Sequence, residues 1–455
     1  MHRRIALCLT AMFTASCHGI SGCILCEPSA SNLEGSVSGV VGYRLELQNG
    51  STRLNVSLNG TGANGSAILF GTAGFNSAYN ITVRTQPTNP SQTCVVANGT
   101  GNTGNADVTN IAVTCAINPP RFAYVANRGA GNVSAFSLNA ASGVLTPIAG
   151  SPFATGGNPV AVAVDPTGSY AYVVNQSSGT IAGFTIDRTT GALVAVSGSP
   201  FGTPANPTAL AIDPSSSFVF VTSGSGGTVS VYTITPASGV LVPLAGSLLA
   251  TGPSPAALVV DALGRFAYVA NRANGTFAAL TIDTTGLLSV DMGSPFAAGA
   301  DPQALVLDPG GHVLYAANAA ANTLSALGGV PIGANGSVAP ISGSPYAVGI
   351  TPTSIALEPM NNFLYVANQG SNNVSGFKLN GSDGTLTALT ASPFIAGMQP
   401  SAIAVDPTGK FAYVANSGVN TISAYAIDPV SGALTALPGP PFATGSQPSA
   451  VAISD

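Results

Sequence analysis

The chain contains no tryptophan, and charge is scarce: Lys, Arg, Asp and Glu make up 6% of its 455 residues, against roughly 25% in ordinary soluble proteins. With 12 basic and 17 acidic residues the formal charge is −5. That balance supplies no basic patch for a phosphate backbone and excludes nucleic acid as an expected partner. Beyond the N-terminus no apolar run reaches the ~18 residues that a spanning helix requires. What is abundant is glycine (55), proline (33) and a dense supply of Ser, Thr and Asn. Such a surface is solvated by hydroxyls, amides and backbone rather than by charge. The length and the 45% hydrophobic content allow two or more units with buried cores.

The first residues, MHRRIALCLTAMFTASCHGISGC, place Arg3 and Arg4 ahead of an apolar stretch from Ile5 to Ala15, followed by small residues. This is the order of an export signal. Ile20, Ser21, Gly22 and Cys23 resemble a bacterial lipobox, in which the cysteine is lipidated and becomes the mature N-terminus. A box ending at Cys17 has Thr14 where an aliphatic residue is usual, and His18 lies inside the cleavage region proposed for Cys23. The alternative is a simply cleaved signal with an incidental cysteine. The expected location is outside the cytoplasm, in the periplasm or at the cell surface, with the membrane reached only through a lipid anchor on Cys23. Of six cysteines, Cys94 and Cys115 remain in the body of the chain. Export lets them pair, so a disulfide is expected between them; two thiols without a nearby histidine make no zinc site.

Residues 1–23 are therefore read as signal and 24–35 as linker. From 36 to 117 the segment GVVGYRLELQNGSTRLNVSLNG and its successors alternate apolar and polar residues around an Asn-Gly pair, the signature of hairpins. This stretch is expected to form a small β-sandwich, resembling immunoglobulin-like modules of bacterial surface proteins.

From Pro119 onward the sequence repeats. FAYVAN recurs at 122, 266 and 411, and the tetrapeptide positions YVAN, YVVN, FVTS, YVAN, YAAN, YVAN and YVAN start at 124, 172, 220, 268, 315, 365 and 413. Successive spacings are 48, 48, 48, 47, 50 and 48 residues, close to one four-stranded propeller blade. Each repeat reads as an inner strand A, a DPTG-like turn at 165, 213, 261, 308, 358 or 406, strand B ending in the tetrapeptide, strand C, and an outer strand D ending in a motif such as SPF. The first copy lacks strand A, whereas the chain ends in PSAVAISD, a strand A without a B. Pairing the two closes a seven-bladed β-propeller over residues 120–455 without a free edge. The fold class is all-β.

At YVAN, DPTG and SPF the array resembles the YVTN-repeat propellers of the lactonase family, which includes 6-phosphogluconolactonase-like proteins. The resemblance implies hydrolysis of a lactone by His, Glu and Arg near the central channel. The array holds one histidine, His312, and one glutamate, Glu358, both in A–B turns, where solvated turn residues are expected. The opposite face collects the B–C and D–A loops. There the residue after the tetrapeptide is Arg128 in the first copy and Arg272 in the fourth, three blades apart and so facing across the channel. Asp301 is placed to pair with one of them or to act as a base. Arg128, Arg272, Asn127 and Asn271 are the candidate ligand contacts, and Arg128, Arg272 and Asp301 the catalytic candidates. The tetrapeptide asparagines otherwise read as strand-end residues bonding loop backbone. One aspartate per blade caps a turn rather than building a calcium shell, so no metal and no cofactor is expected.

On this supply of groups the leading expectation is a binding or scaffolding module at the cell envelope, meeting an envelope protein, a polysaccharide or a small anionic ligand. The alternatives are a lactonase acting on a sugar-derived lactone and a purely structural surface repeat. Mass spectrometry of the mature N-terminus tests the lipobox: a diacylglyceryl group on Cys23 is expected, and an unmodified residue after a cleaved signal contradicts it.

Overall fold

A computed structural model describes residues 30–56, 67–88, 90–308, 310–329, 338–360 and 362–454. The export signal and Cys23 lie outside the described residues. The chain divides into two compact units, with the boundary between Ile117 and Asn118.

In the N-terminal unit the strands are β1 (Ala30–Ser38), β2 (Glu46–Asn49), β3 (Thr52–Asn55), β4 (Ala67–Gly74), β5 (Ala78–Thr85), β6 (Gln92–Ala97), β7 (Thr100–Asn102) and β8 (Val108–Ile117). They form two four-stranded sheets, ordered β4-β1-β8-β6 and β3-β2-β5-β7. Leu33, Val37, Ile111 and Val113 of one sheet share a core with Leu45, Leu47 and Ile81 of the other, the arrangement of a sandwich. Cys94 and Cys115, directly opposite in the β6–β8 ladder, are disulfide-bonded. The linker assigned to 24–35 needs correction, because Ala30 to Gly35 belong to β1. Leu33 is the only large apolar residue in that stretch. Gly35 lies so close to the Ile111 carbonyl that a Cβ there would overlap it, so tight backbone packing joins the burial of Leu33 and Val37 in holding a strand whose apolar alternation is sparse.

The second unit is a ring of seven sheets. Its blades, numbered in chain order from 1 to 7, have inner strands Pro448–Ser454, Pro159–Val164, Pro207–Ile212, Pro255–Val260, Pro302–Leu307, Pro352–Leu357 and Pro400–Val405. Each inner strand contacts the next, and the last returns to the first. Blade 1 is completed from both ends of the array. Pro448–Ser454 pairs antiparallel with Phe122–Asn127, Arg121 N–H donates to Ser454 O at 2.8 Å, and Arg128 N–H to Gln447 O at 2.8 Å.

The repeated letters map onto repeated contacts. In strand B the tetrapeptide aromatic is buried, and in five blades it is a tyrosine whose hydroxyl crosses to the C–D turn of the next blade. Tyr124, Tyr172, Tyr315, Tyr365 and Tyr413 donate to the carbonyls of Gly191, Gly239, Gly384, Gly432 and Gly143, at 2.7–2.9 Å. Each such bond contributes about 1 kcal/mol net, and burial pushes these phenols well above the usual tyrosine range. Phe220 has no hydroxyl to make the bond in blade 3, and the buried hydroxyl of Tyr268 in blade 4 has no partner among the described residues. The A–B turns are capped as their sequence implies: Asp165 Oδ1 accepts the N–H groups of Ser169 and Tyr170 at 2.8 and 2.6 Å.

Strand D differs from the single run read in the sequence. Leu145–Pro147 pairs with strand C, the chain bends, and Phe153–Ala154 pairs again with the start of the same strand. The serine of the SPF motif accounts for the break. Ser151 Oγ accepts the Ala135 N–H at 2.9 Å, and Ser199, Ser247, Ser294, Ser344 and Ser392 serve their own blades in the same way.

Deleting residues 448–455 removes the inner strand of blade 1, including the partly buried Val451 and Ile453. The loss of several kcal/mol in burial alone, at about 2–4 °C per kcal/mol for a domain of this size, is expected to lower Tm by ~10 °C or more. Thermal unfolding measures it, and an unchanged Tm contradicts this closure.

Candidate functional site

The B–C and D–A loops meet at one face of the ring, around the mouth of the central channel. There the residue before each inner-strand proline has a left-handed backbone in every blade. These are Asn158, Asn206, Ser254, Asp301, Thr351, Gln399 and Gln447, with φ between 52° and 62°. A non-glycine residue bears a cost in that region, and each site returns a hydrogen bond for it. The residue's carbonyl accepts the N–H of the residue just past strand B, as Ser254 does for Arg272 at 3.1 Å and Asp301 for Ala319 at 2.9 Å. With its carbonyl committed inward, Asp301 reaches the arginine of the preceding blade with its side chain.

Arg272 Nε donates to Asp301 Oδ1 at 2.7 Å, and Nη2 to Oδ2 at 3.4 Å. Gln303 Nε2 lies 3.1 and 3.0 Å from the same two oxygens. In blades 1, 3, 6 and 7 the residue equivalent to Gln303 is a Ser or Thr whose hydroxyl bonds the next blade's proline carbonyl, as Thr208 does for Pro255 at 2.6 Å. Gln303 turns instead to the carboxylate. Arg272 is about half exposed and begins a short 3-10 turn, Arg272–Asn274, the only helical turn among the described residues. Burial alone raises the Asp301 carboxyl, but hydrogen bonds from Arg272 and Gln303 and the guanidinium charge outweigh it and hold the group below its ordinary 3.8. Asp301 is thus a carboxylate at neutral pH.

Arg128 is held differently. Its Nε donates to Asn158 Oδ1 at 2.7 Å, and Nη2 lies 3.4 Å from Gln176 Oε1. Both partners are neutral, so the positive charge is not compensated. The structure therefore joins Arg272 to Asp301 and Gln303, and places Arg128, three blades away, in a separate amide clasp. Gln303 and Asn158 were not legible as partners in the sequence. The signal that finds them is the ring of residues preceding the inner-strand prolines.

Asn127 and Asn271 need correction as ligand contacts, because both are fully buried. Asn127 Nδ2 donates to Asn132 Oδ1 at 2.8 Å and Ser134 Oγ at 2.9 Å, and Asn271 Nδ2 to Thr251 O at 2.9 Å. Only in blades 2 and 4 does this asparagine bond loop backbone; in blades 1, 5, 6 and 7 it bonds side chains at the start of strand C. A glycine of the D–A loop packs on it: a Cβ on Gly299 would lie 2.4 Å from Asn318 Cγ. Blade 3 exchanges both members of this contact, to Ser223 and Pro204.

On the opposite face, Glu358 is buried in its A–B turn. Burial raises its carboxyl, opposed by N–H bonds from Met360 and Asn362. His312 is largely exposed in the equivalent turn of blade 5. Among the described residues no group of three His, Cys, Asp or Glu side chains is disposed to hold a metal.

The profile of the lactonase family of seven-bladed β-propellers matches residues 89–205, 246–329 and 334–452. No curated protein matches the chain. Solved structures do. A protein of Bacteroides uniformis provisionally assigned as a 6-phosphogluconolactonase shares 20% identity, with a TM-score of 0.65 over 74% of this chain and 100% of its own. A similarly assigned protein of Bacteroides fragilis gives 20% and 0.65 over 74% and 99%. The periplasmic gluconolactonase of Pseudomonas aeruginosa gives 17% and 0.60 over 74% and 99%. At these identities the likeness shows the fold. The family match nevertheless overturns the leading expectation of a binding or scaffolding module. That expectation weighed the scarcity of His and Glu, whereas the mouth supplies an Arg, an Asp and a Gln in one hydrogen-bonded cluster.

Substituting Arg272 by Ala removes two of the influences that hold Asp301 down and leaves burial dominant. Its pKa is expected to rise above the ordinary carboxylate value, read by NMR titration of the Asp301 carboxyl carbon. The sign follows from linkage: with a depressed native pKa, the stabilisation is complete above the unfolded value and is lost as pH falls through the native one. An Asp301 titration unchanged by the substitution contradicts the assignment.

Proposed function

Because the chain belongs to the lactonase family of seven-bladed β-propellers, we propose that it hydrolyses a small sugar-derived lactone at the mouth of its central channel, in the cluster of Arg272, Asp301 and Gln303. The observation that carries this reading is the ion pair between Arg272 and Asp301 at 2.7 Å, the only salt bridge between two blades among the described residues. A carboxylate fixed by two donors, beside a guanidinium with further N–H groups, meets the needs of ester hydrolysis.

The chemistry runs as follows. Asp301 accepts a proton from a water that attacks the lactone carbonyl carbon, while Arg272 donates to the oxygen on which negative charge develops. The tetrahedral adduct collapses with cleavage of the ring C–O bond, and the proton held by Asp301 passes to the leaving oxygen, giving the open hydroxy acid. A carboxylate of depressed pKa is a weak base, but a lactone is a strained and reactive ester and a weak base serves. Arg128, whose charge is uncompensated, suits an anionic or electronegative group of substrate or product. In the same reading the N-terminal segment exports the chain, and Cys23 anchors it by lipid outside the cytoplasm.

Hydrolysis of D-glucono-1,5-lactone by purified protein, followed by pH-stat, tests the assignment. Asp301→Asn and Arg272→Ala are each expected to lower kcat/KM by about 10²-fold or more, with Tm little changed. Turnover that survives both substitutions places the chemistry elsewhere.

A further inference from the structure

On the face opposite the channel mouth, blade 5 lacks the aromatic residue that the other six blades carry at one position. Strand B opens with an aromatic residue in blades 1, 2, 3, 4, 6 and 7: Phe122, Tyr170, Phe218, Phe266, Phe363 and Phe411. In five of them the ring covers a glycine in the C–D turn of the next blade so closely that a Cβ there would lie 2.3–2.4 Å from a ring carbon, as Phe122 covers Gly191 and Phe411 covers Gly143. Blade 5 has Val313 at this position; its Cγ2 still covers the next blade's glycine, a Cβ on Gly384 lying 2.5 Å from it, so the contact is kept and the bulk of the ring is lost.

Two further reductions occur beside it. The residue paired with Val313 on strand C is Gly328, where the other blades carry Ser137, Thr185, Thr233, Thr281, Lys378 and Ala426. The next residue is Gly329, where all the others have Leu or Ile. Three side chains are thus diminished together, and all three positions line a cavity of about 280 Å³ between blades 5 and 6. The cavity opens to solvent on one side, and no other blade combines these three reductions.

The cavity has a directional chemistry. Its wall is apolar, formed by Val313, Ile341 and Leu379. Its rim carries the carboxylates of Asp308 and Asp383 together with His312, the one histidine of the array. Hydrogen bonds from the Thr385 hydroxyl and N–H hold Asp383 below the ordinary carboxylate range. Asp308 accepts the N–H groups of His312 and Val313 at 2.6 and 2.5 Å. The rim is therefore negative and rich in acceptors, and a complementary ligand supplies donors and positive charge. Apolar cavities of about 150 Å³ admit a benzene-sized ring, so this one accommodates a ring with a short substituent.

We propose that the slot between blades 5 and 6 binds a small cyclic or aromatic amine, its ring lying where the missing phenyl side chain would pack and its ammonium group meeting Asp308 and Asp383. This site is separate from the channel mouth and stands independently of the lactonase reading.

Benzylamine titrated into purified protein, by calorimetry and by the ring resonances of His312, tests the proposal, with benzyl alcohol and methyl glucoside as neutral probes. Saturable binding of benzylamine with movement of the His312 signals is expected. Val313→Phe, which restores the residue type of the other blades, is expected to fold with Tm at or above that of the parent and to weaken binding at least tenfold. Asp383→Asn is expected to weaken benzylamine similarly and to leave benzyl alcohol unchanged. The proposal is overturned if benzylamine fails to saturate, if it saturates without moving the His312 signals, if Val313→Phe binds undiminished, or if a neutral probe binds as tightly as the amine. Should Val313→Phe not fold, the His312 signals and Asp383→Asn decide alone.

Discussion

The pairing of the chain's last strand with the first strand of the array is the constraint on which the propeller depends. A sheet with an open edge invites further strands, and seven sheets in a row would leave one blade without an inner strand and another without a neighbour. Joining Pro448–Ser454 to Phe122–Asn127 supplies both at once. It also lets Tyr413 of blade 7 reach Gly143 of blade 1, across 270 residues of sequence. Because the ring is closed, each loop at the channel mouth has a fixed neighbour on either side, and a side chain of one blade can be relied upon to meet a side chain of the next.

Repetition meets the demands of packing, and chemistry enters where it fails. Blade 5 departs most. At the mouth it carries Asp301 and Gln303, which take up Arg272 of blade 4. At the opposite face it carries His312, Val313, Gly328 and Gly329, which open a cavity. The contacts that the blades share, such as the tyrosine hydroxyls and the SPF serines, are blind to this difference and hold the frame while two corners of one blade vary.

Much of the frame was legible in the sequence because a period near 48 residues, with a tyrosine in six of seven copies and a capped turn between successive A and B strands, admits few folds. Closure was legible because the two ends of the array are complementary. The site was less so. That Asp301 faces Arg272 depends on a left-handed backbone before a proline, which no local pattern announces, and Asn127 and Asn271 looked exposed at a strand end although glycines of the D–A loop bury them. The split of strand D depends on a serine hydroxyl replacing a ladder partner, which alternation does not reveal. The cavity rests on Val for Phe and Gly for Leu or Ile, changes that are unremarkable singly and informative only when blades are compared position by position. One signal was present from the start: the two spacings that depart from 48 residues, 47 and 50, lie on either side of the blade 5 tetrapeptide.

The central claim is that lactone chemistry sits where blade 4 meets blade 5 at the channel mouth. The most direct measurement is a crystal structure of Asp301→Asn soaked with a sugar lactone, the substitution slowing turnover. The account predicts the lactone carbonyl at hydrogen-bond distance, about 3 Å, from the Arg272 guanidinium. A lactone bound elsewhere, in the slot between blades 5 and 6 or away from the ring's axis, would contradict it.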